Sequence, residues 1–174
     1  MPLNTDIFRS EGGFGVGSKT IVSDQFDIKN ANSLEVKNSE FANCSRTDFV
    51  LRAITSAASP SQITSKLLSS TSTIVLPNGS VNFITSHIVG TNSNGSGYYA
   101  VKIENIVAVD AIGGVDTVGS LITTLKDSIP SGEGWTVSVY DTGNAGQYSY
   151  TVNQGVAPGN ITWVAHAQVI TVDW

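Results

Sequence analysis

Two histidines, His87 and His166, are the side chains of this chain best suited to metal binding or to general acid–base catalysis. Each lies in a segment where apolar and polar residues alternate, which predicts a β-strand. Neither has a His, Cys, Asp or Glu beside it at the spacing of a metal-binding motif. We therefore interpret both as outward-facing strand histidines, and we expect no metal and no other cofactor.

Three acidic residues, Asp127, Glu133 and Asp141, lie near predicted loops, where paired carboxylates would suggest glycoside hydrolysis. Turns and surface positions are also where acidic residues ordinarily occur. Nothing in the sequence resembles the strand-to-helix turn that carries a nucleophilic serine. The glycine-rich run 11–17 lacks the Lys-Ser/Thr ending of a phosphate-binding loop. The sequence thus predicts a protein that is not an enzyme, with a hydrolytic depolymerase as a weaker alternative.

Aromatic residues in the second half of the chain are the more informative group, because sugars are often bound by stacked rings with amide side chains nearby. Trp135 and Trp163 are interpreted as core anchors, since each ring buries a large apolar area. Tyr148 and Tyr150 share one face of a predicted strand, and we expect that face to be exposed.

Two loops are expected to cap one end of the fold and to be the best places for a ligand: residues 90–97 and 141–146. The terminal tryptophan is expected to dock against a neighbouring subunit rather than to face water. The predicted surface for a ligand or partner consists of Tyr98, Tyr99, Tyr148, Tyr150, Asn144 and Trp174.

Composition excludes several classes of protein. The formal net charge of −5 and a pI near 4.8 argue against nucleic-acid binding, which needs a basic face. The single cysteine, Cys44, excludes an intrachain disulfide, and we expect it to be buried. No segment approaches the roughly 20 apolar residues of a membrane span, and the N-terminus lacks the features of a secretory signal.

Alternating patterns predict about seven strands and no long helix in the second half of the chain. The last three strands, at 135–140, 147–152 and 161–172, are separated by turn-forming residues and predict an antiparallel meander. A phase change near Asn105 predicts a bulge in the long strand 98–109. The predicted fold is all-β, with an antiparallel β-sandwich or jelly-roll-like C-terminal domain.

A Ser/Thr-rich stretch marks the predicted domain boundary, because eleven of the nineteen residues 55–73 are Ser or Thr. We therefore predict an extended N-terminal arm with short strands at 1–54, a linker at 55–72 and the sandwich domain at 73–174. An arm of short strands suits the completion of another subunit's sheet, since edge pairing requires only backbone groups.

Three segments carry a resemblance to a known kind of domain: Gly97–Glu104, Trp135–Val139 and Ile161–Ala165. With their spacing they resemble a β-sandwich domain at the C-terminal ends of fibre, tail-associated and capsid-decorating proteins of tailed bacteriophages. The resemblance covers residues 77–173, and Asn153-Gln-Gly155 departs from it in the position of the glycine.

The resemblance implies a non-enzymatic virion structural protein, made in the host cytoplasm, whose partners are capsid, neck or tail subunits. It also implies a homo-oligomer, for which we favour a trimer. The alternative is a carbohydrate-binding adhesin module that recognises host surface glycans.

Overall fold

The computed structural model describes residues 14–16, 19–22, 33–37, 40–41, 43–56, 60–63, 73–141 and 146–174. These residues form strands, turns and loops, which confirms the all-β prediction. The chain divides into a short unit, residues 1–31, and a larger unit, residues 32–174. The described part of the short unit is an antiparallel pair of strands, β1 (Phe14–Val16) and β2 (Lys19–Val22).

The larger unit consists of two antiparallel sheets. Its strands are β3 (Ser33–Lys37), β4 (Cys44–Thr55), β5 (Ser61–Gln62), β6 (Ile74–Val75), β7 (Ser80–Asn92), β8 (Tyr98–Val109), β9 (Val115–Ser128), β10 (Thr136–Asp141), β11 (Gln147–Asn153) and β12 (Ile161–Asp173). The large sheet has the order β3-β4-β12-β7-β8-β9. In the small sheet, β10, β11 and β5 are neighbours and β6 also pairs with β11.

The predicted meander of the last three strands is wrong at its third member. Strands β10 and β11 pair as predicted, but β12 lies in the large sheet between β4 and β7. The connection from β11 to β12 crosses from one sheet to the other and is held by its own hydrogen bonds. Gln154 Nε2 donates to the carbonyl oxygens of Ala157 and Gly159, at 3.0 Å each. Gly155 has a φ of 59°, a conformation that favours glycine. The turn-forming residues of this seven-residue connection are typical of a hairpin loop, but the strands that it joins lie in different sheets.

Strand β4 contains residues 44–54 of the predicted arm and the first residue of the predicted linker, and it pairs with β12 along its whole length. The division between the two units of the structure falls between Ala31 and Asn32. The Ser/Thr-rich stretch supplies β5 and the fully buried Ile63. Cys44 is exposed, so its predicted burial is wrong. The reason is its place at the first position of β4, on the uncovered face of the sheet.

Strand β8 keeps a constant inner face, so the phase change predicted near Asn105 does not occur there. Val101, Ile103 and Asn105 are all buried. The register shifts lie between β8 and β9, at Ala100/Val101 and Ile106/Val107, and the extra residues belong to β9. The polar residue Asn105 interrupts the apolar alternation of β8 in the sequence, although its side chain is buried on the same face as Val101 and Ile103.

The core lies between the two sheets and is anchored by two tryptophans. Trp135 and Trp163 are both buried and meet edge to face, with ring centroids 5.9 Å apart. Trp163 Nε1 donates to Thr55 Oγ1 at 3.1 Å, so its polar atom is satisfied inside the core. The prediction that these two residues are core anchors is confirmed.

Candidate functional site

The two histidines lie side by side on the large sheet. His87 on β7 is directly opposite His166 on β12, and both are exposed, as predicted. His166 Nε2 lies 3.5 Å from Asp48 Oδ1 on β4. Within the described ranges, no three His, Cys, Asp or Glu side chains are grouped closely enough to hold a metal ion. Sequence reasoning missed that the histidines are neighbours because it did not place β12 beside β7.

The acidic residues near loops accept hydrogen bonds from their own turns. Glu133 Oε2 accepts from Trp135 Nε1 at 2.8 Å, and Asp127 Oδ1 accepts from the amide of Ile129 at 3.1 Å. Asp110, in the turn after β8, accepts from the amides of Ile112 and Gly114 through Oδ1. The side chain of Asp141 lies outside the described part of the chain. The carboxylates of Glu133, Asp127 and Asp110 therefore each accept a hydrogen bond from a group in their own turn.

Tyr148 and Tyr150 are fully buried, so the expectation that they share an exposed face is wrong. Their strand, β11, presents them to the large sheet. There Tyr150 Oη hydrogen-bonds with Ser86 Oγ of β7, and Asn105 Nδ2 of β8 donates to Tyr148 Oη. The two rings meet edge to face at 5.5 Å. The pair joins the two layers of the fold instead of forming a surface.

Burial shifts the acid–base equilibria of both tyrosines. Removal from water disfavours the phenolate and raises the pKa of Tyr150 to about 12, although the hydrogen bonds with Ser86 and Tyr148 lower it. The pKa of Tyr148 is raised further by burial and by the neighbouring Tyr150, although the Asn105 hydrogen bond lowers it. Both hydroxyls are neutral hydrogen-bonding groups at physiological pH.

Tyr98 and the turn before it lie at one end of the large sheet. The turn is held by its own side chains: Asn92 Oδ1 accepts from the amide of Gly97 at 3.1 Å, and Asn94 Oδ1 accepts from the amide of Ser96 at 2.9 Å. Tyr98 is 41% exposed, whereas Tyr99 is half-buried with its hydroxyl 3.4 Å from Thr124 Oγ1. An exposed ring thus stands beside a turn fixed by amide side chains.

Trp174 lies at the opposite end. Its amide donates to the carbonyl oxygen of Gly79 at 3.0 Å, next to the end of β8, and its side chain is 79% exposed. The amide of Gly146 bonds to the carbonyl oxygen of Gly113 at this same end. Because β8 is 12 residues long, the loops 90–97 and 141–146 attach about 36 Å apart. The prediction that they cap one end together is wrong, and Asn144 lies outside the described residues.

The large sheet has an outer face that the small sheet does not cover. We define the outer face as the residues of β4, β12, β7 and β8 that point away from the core. Its large apolar side chains are each between 41% and 56% exposed: Val50, Ile54, Val81, Phe83, Val89, Tyr98, Ile106, Val164, Ile170 and Val172. Two polar rows cross its middle. One row is His166, His87 and Lys102, and the next is Asp48, Gln168, Thr85 and Glu104.

Sequence reasoning missed this outer face, although β7 carried a signal for it. Val81, Phe83 and Val89 point outward, while Ile84 and Ile88 point into the core. A strand with large apolar residues on both faces is typical of a sheet that is covered on both sides. The outer face is therefore a candidate binding surface on the described part of the molecule.

Comparison with known proteins gives no family. No protein-family model matches the chain, and no curated protein matches it. The chain is similar to the tailspike protein gp49 of Acinetobacter baumannii bacteriophage Fri1, a capsular polysaccharide depolymerase, at 10% identity and a TM-score of 0.45. That match covers 82% of this chain and 21% of the tailspike.

A second similar structure is the tailspike protein of Acinetobacter phage vB_ApiP_P1, at 18% identity and a TM-score of 0.27, covering 92% of this chain and 25% of that one. The chain spans a quarter or less of the length of either tailspike. In the described part of the chain, no helix is long and apolar enough to cross a membrane.

Proposed function

We propose that this chain is a non-enzymatic structural component of a bacteriophage virion, either a capsid-decorating protein or a part of the tail or fibre. The observation that carries the proposal is where the three resembling segments lie. Gly97–Glu104 contains the start of β8, Trp135–Val139 covers most of β10, and Ile161–Ala165 begins β12. These strands belong to both sheets, so the resemblance concerns the framework of the fold and not a single loop.

A role without catalysis is supported by the environment of the acidic side chains. Hydrolysis of a glycosidic bond needs two carboxyl groups that face one substrate. Glu133 and Asp127 instead accept hydrogen bonds within their own turns, from Trp135 Nε1 and the amide of Ile129. Incubation with bacterial capsular polysaccharide is expected to release no reducing ends. Release that disappears in Glu133→Gln would establish a depolymerase instead.

Assembly through the N-terminal region is the second part of the proposal. Because β4 belongs to the large sheet, we propose residues 1–31 as the arm, since they form a separate unit. We propose that this unit contacts capsid, neck or tail subunits, and that the chain forms a homo-oligomer, with a trimer as the stoichiometry favoured from the resemblance.

Detection of the chain in purified particles tests this role. An antibody against residues 73–174 should label density-purified phage particles in immunogold electron microscopy and should detect the chain in their immunoblot. Labelling at vertices, neck or fibre tips would also give the location. A chain found only in the particle-free fraction of the lysate would refute a virion role.

Binding to a host surface glycan is a second candidate, and Tyr98 is the observation that favours it. Its exposed ring lies beside the turn formed by Asn92, Asn94 and Ser96, which supplies amide and hydroxyl groups. Such a combination suits stacking against a sugar with hydrogen bonds at its edge. On a glycan array, Tyr98→Ala is expected to abolish the signal, whereas Tyr140→Ala, an exposed tyrosine on β10, is expected to retain it. No signal from the wild-type chain on a broad array would refute this candidate.

A further inference from the structure

We propose that the outer face of the large sheet packs face to face against the outer face of a second copy of this chain, related by a twofold axis. The inference rests on the homo-oligomeric assembly of the proposed function and names its surface and occupant, and it predicts a dimer in place of the trimer that the resemblance favours.

The size of the outer face fits a stable interface between two proteins. Strands β4, β12, β7 and β8 are 12 or 13 residues long and neighbour one another. With strands about 4.8 Å apart and a rise of about 3.3 Å per residue, four such strands span about 19 by 40 Å, or roughly 760 Å². A standard interface buries about 800 Å² on each partner. A sheet face of this size with ten large apolar side chains is unusual on a monomer.

The pattern of the outer face is self-complementary, which contact between identical copies requires. Apolar rows lie on each side of the two polar rows. On one side Val164 of β12 is opposite Val89 of β7, and on the other side Ile170 is opposite Phe83. A half-turn about an axis that crosses the strands between the polar rows exchanges these two sides. Val164 then meets Ile170 of the second copy, and Val89 meets its Phe83.

The charges agree with the same axis. The half-turn places Lys102 against Glu104 of the second copy. This contact adds to the ion pair that the same two side chains form within one chain, at 3.0 Å. The same half-turn brings Arg52 against Arg46 on β4, where the Asp48 carboxylate, 2.9 Å from Arg46 Nη2, offsets part of their repulsion. The other in-plane axis, parallel to the strands, would instead place Asp48 against Glu104. Like charges disfavour that arrangement, so the crossing axis is preferred.

Measurement of the molar mass in solution tests the inference. The wild-type chain at tens of micromolar should have twice the 18.3 kDa mass of one chain, about 37 kDa. Phe83→Glu and Val164→Glu each place a charge in an apolar row, and each should give a mass of about 18 kDa. The matched control is Ile112→Glu, because Ile112 is 86% exposed in the turn after β8, away from the outer face. This variant should remain dimeric.

A charge exchange tests the axis without changing any apolar residue. Lys102→Glu should raise the dissociation constant at least about tenfold, and Lys102→Glu combined with Glu104→Lys should restore it. Circular dichroism melting curves confirm that each variant is folded.

A monomeric wild-type chain at these concentrations would overturn the inference, as would equal dissociation by Ile112→Glu. A particle of three chains would overturn the twofold pairing and leave the proposed trimer intact. None of these outcomes changes whether the antibody labels virions, so the proposed function and this inference fail separately.

Discussion

The two faces of the large sheet are built from similar apolar residues, but only the inner one is covered within the described chain. On β7, Ile84 and Ile88 point inward and are almost completely buried, while Val81 and Phe83 point outward and remain exposed. The small sheet covers the inner face alone. Alternation along a strand therefore indicates which residues share a face, but it does not indicate what covers that face.

The polar residues distinguish the two faces more clearly than the apolar ones. The inner face carries uncharged polar side chains with specific partners: Asn82 Nδ2 donates to Ser80 Oγ at 2.8 Å, and Thr171 Oγ1 donates to Asn82 Oδ1 at 2.7 Å. The outer face carries charged residues such as Lys102 and Glu104. A charged group is costly to bury without a partner. Charged residues therefore indicate a face that is exposed to solvent in the isolated chain.

Truncation of a core side chain should give the largest difference between the faces. Trp163→Ala should reduce the free energy of unfolding by about 3–5 kcal/mol, because it removes a buried ring and leaves a cavity beside Trp135. The adjacent Val164 is on the outer face, and Val164→Ala should cost less than about 1 kcal/mol in the monomer. Urea denaturation at low micromolar concentration measures both. Equal costs would mean that the outer face is covered within the chain itself.

The sequence predicted the strands of the larger unit better than their arrangement. The tryptophan anchors, the outward histidines and most strand bounds follow from alternation and turn residues, which are local signals. The pairing of β12 with β4 joins residues more than 100 positions apart, and no local pattern reports it. The site prediction failed at Tyr148 and Tyr150 for a related reason. Their exposure depends on Asn105 and Ser86, which belong to the other sheet and offer them hydrogen-bond partners.

Alkaline pH should destabilise the protein through the inner face. Tyr148 and Tyr150 have raised pKa values in the folded state, that of Tyr150 being about 12, against an ordinary value of 10. Above pH 10 the unfolded chain loses these two protons while the folded chain retains them, so stability falls as the pH rises. At pH 11 the loss should be about 2–3 kcal/mol relative to pH 8 for the two residues together. Denaturant titrations at both pH values measure it.

The matched control separates the core tyrosines from other alkaline effects. A variant with Tyr148→Phe and Tyr150→Phe should lose most of this additional pH dependence, although it starts less stable because Asn105 and Ser86 lose their partners. Tyr98→Phe and Tyr140→Phe, at exposed positions, should retain the full dependence. If the core variant and the wild-type chain lost equal stability, burial of the hydroxyls would not be the cause.

Replacement of a glycine by alanine adds one methyl group, and its effect on stability can be compared between the two faces. Gly90 lies on the inner face opposite Trp163, and a Cβ there would lie 2.4 Å from the indole ring. Gly90→Ala should therefore destabilise by about 1–3 kcal/mol through overpacking. Gly119 lies opposite Ile106 on the outer side, where a Cβ would meet only the Ile106 Cδ1 at 4.0 Å.

Thermal melting of the two variants is the measurement. Gly119→Ala should have the same stability as the wild-type chain or be more stable by up to about 1 kcal/mol, because it restricts the unfolded state. In a Trp163→Leu background, the cost of Gly90→Ala should become smaller, since the ring that crowds the new methyl group is absent. A cost that does not depend on residue 163 would contradict packing of the indole over Gly90.

The smallest effect is expected from the ion pairs of the outer face. Asp48 Oδ2 lies 2.9 Å from Arg46 Nη2, and both residues are on β4. The arginine is more than half exposed, so solvent screens the pair and Asp48→Asn should cost less than about 1 kcal/mol. Addition of 1 M NaCl should reduce this difference further, because the Debye length falls to about 3 Å. At a concentration where the chain is monomeric, a cost of several kcal/mol that persists in salt would show that Asp48 is enclosed, and the outer face would then have to be covered by part of the same chain.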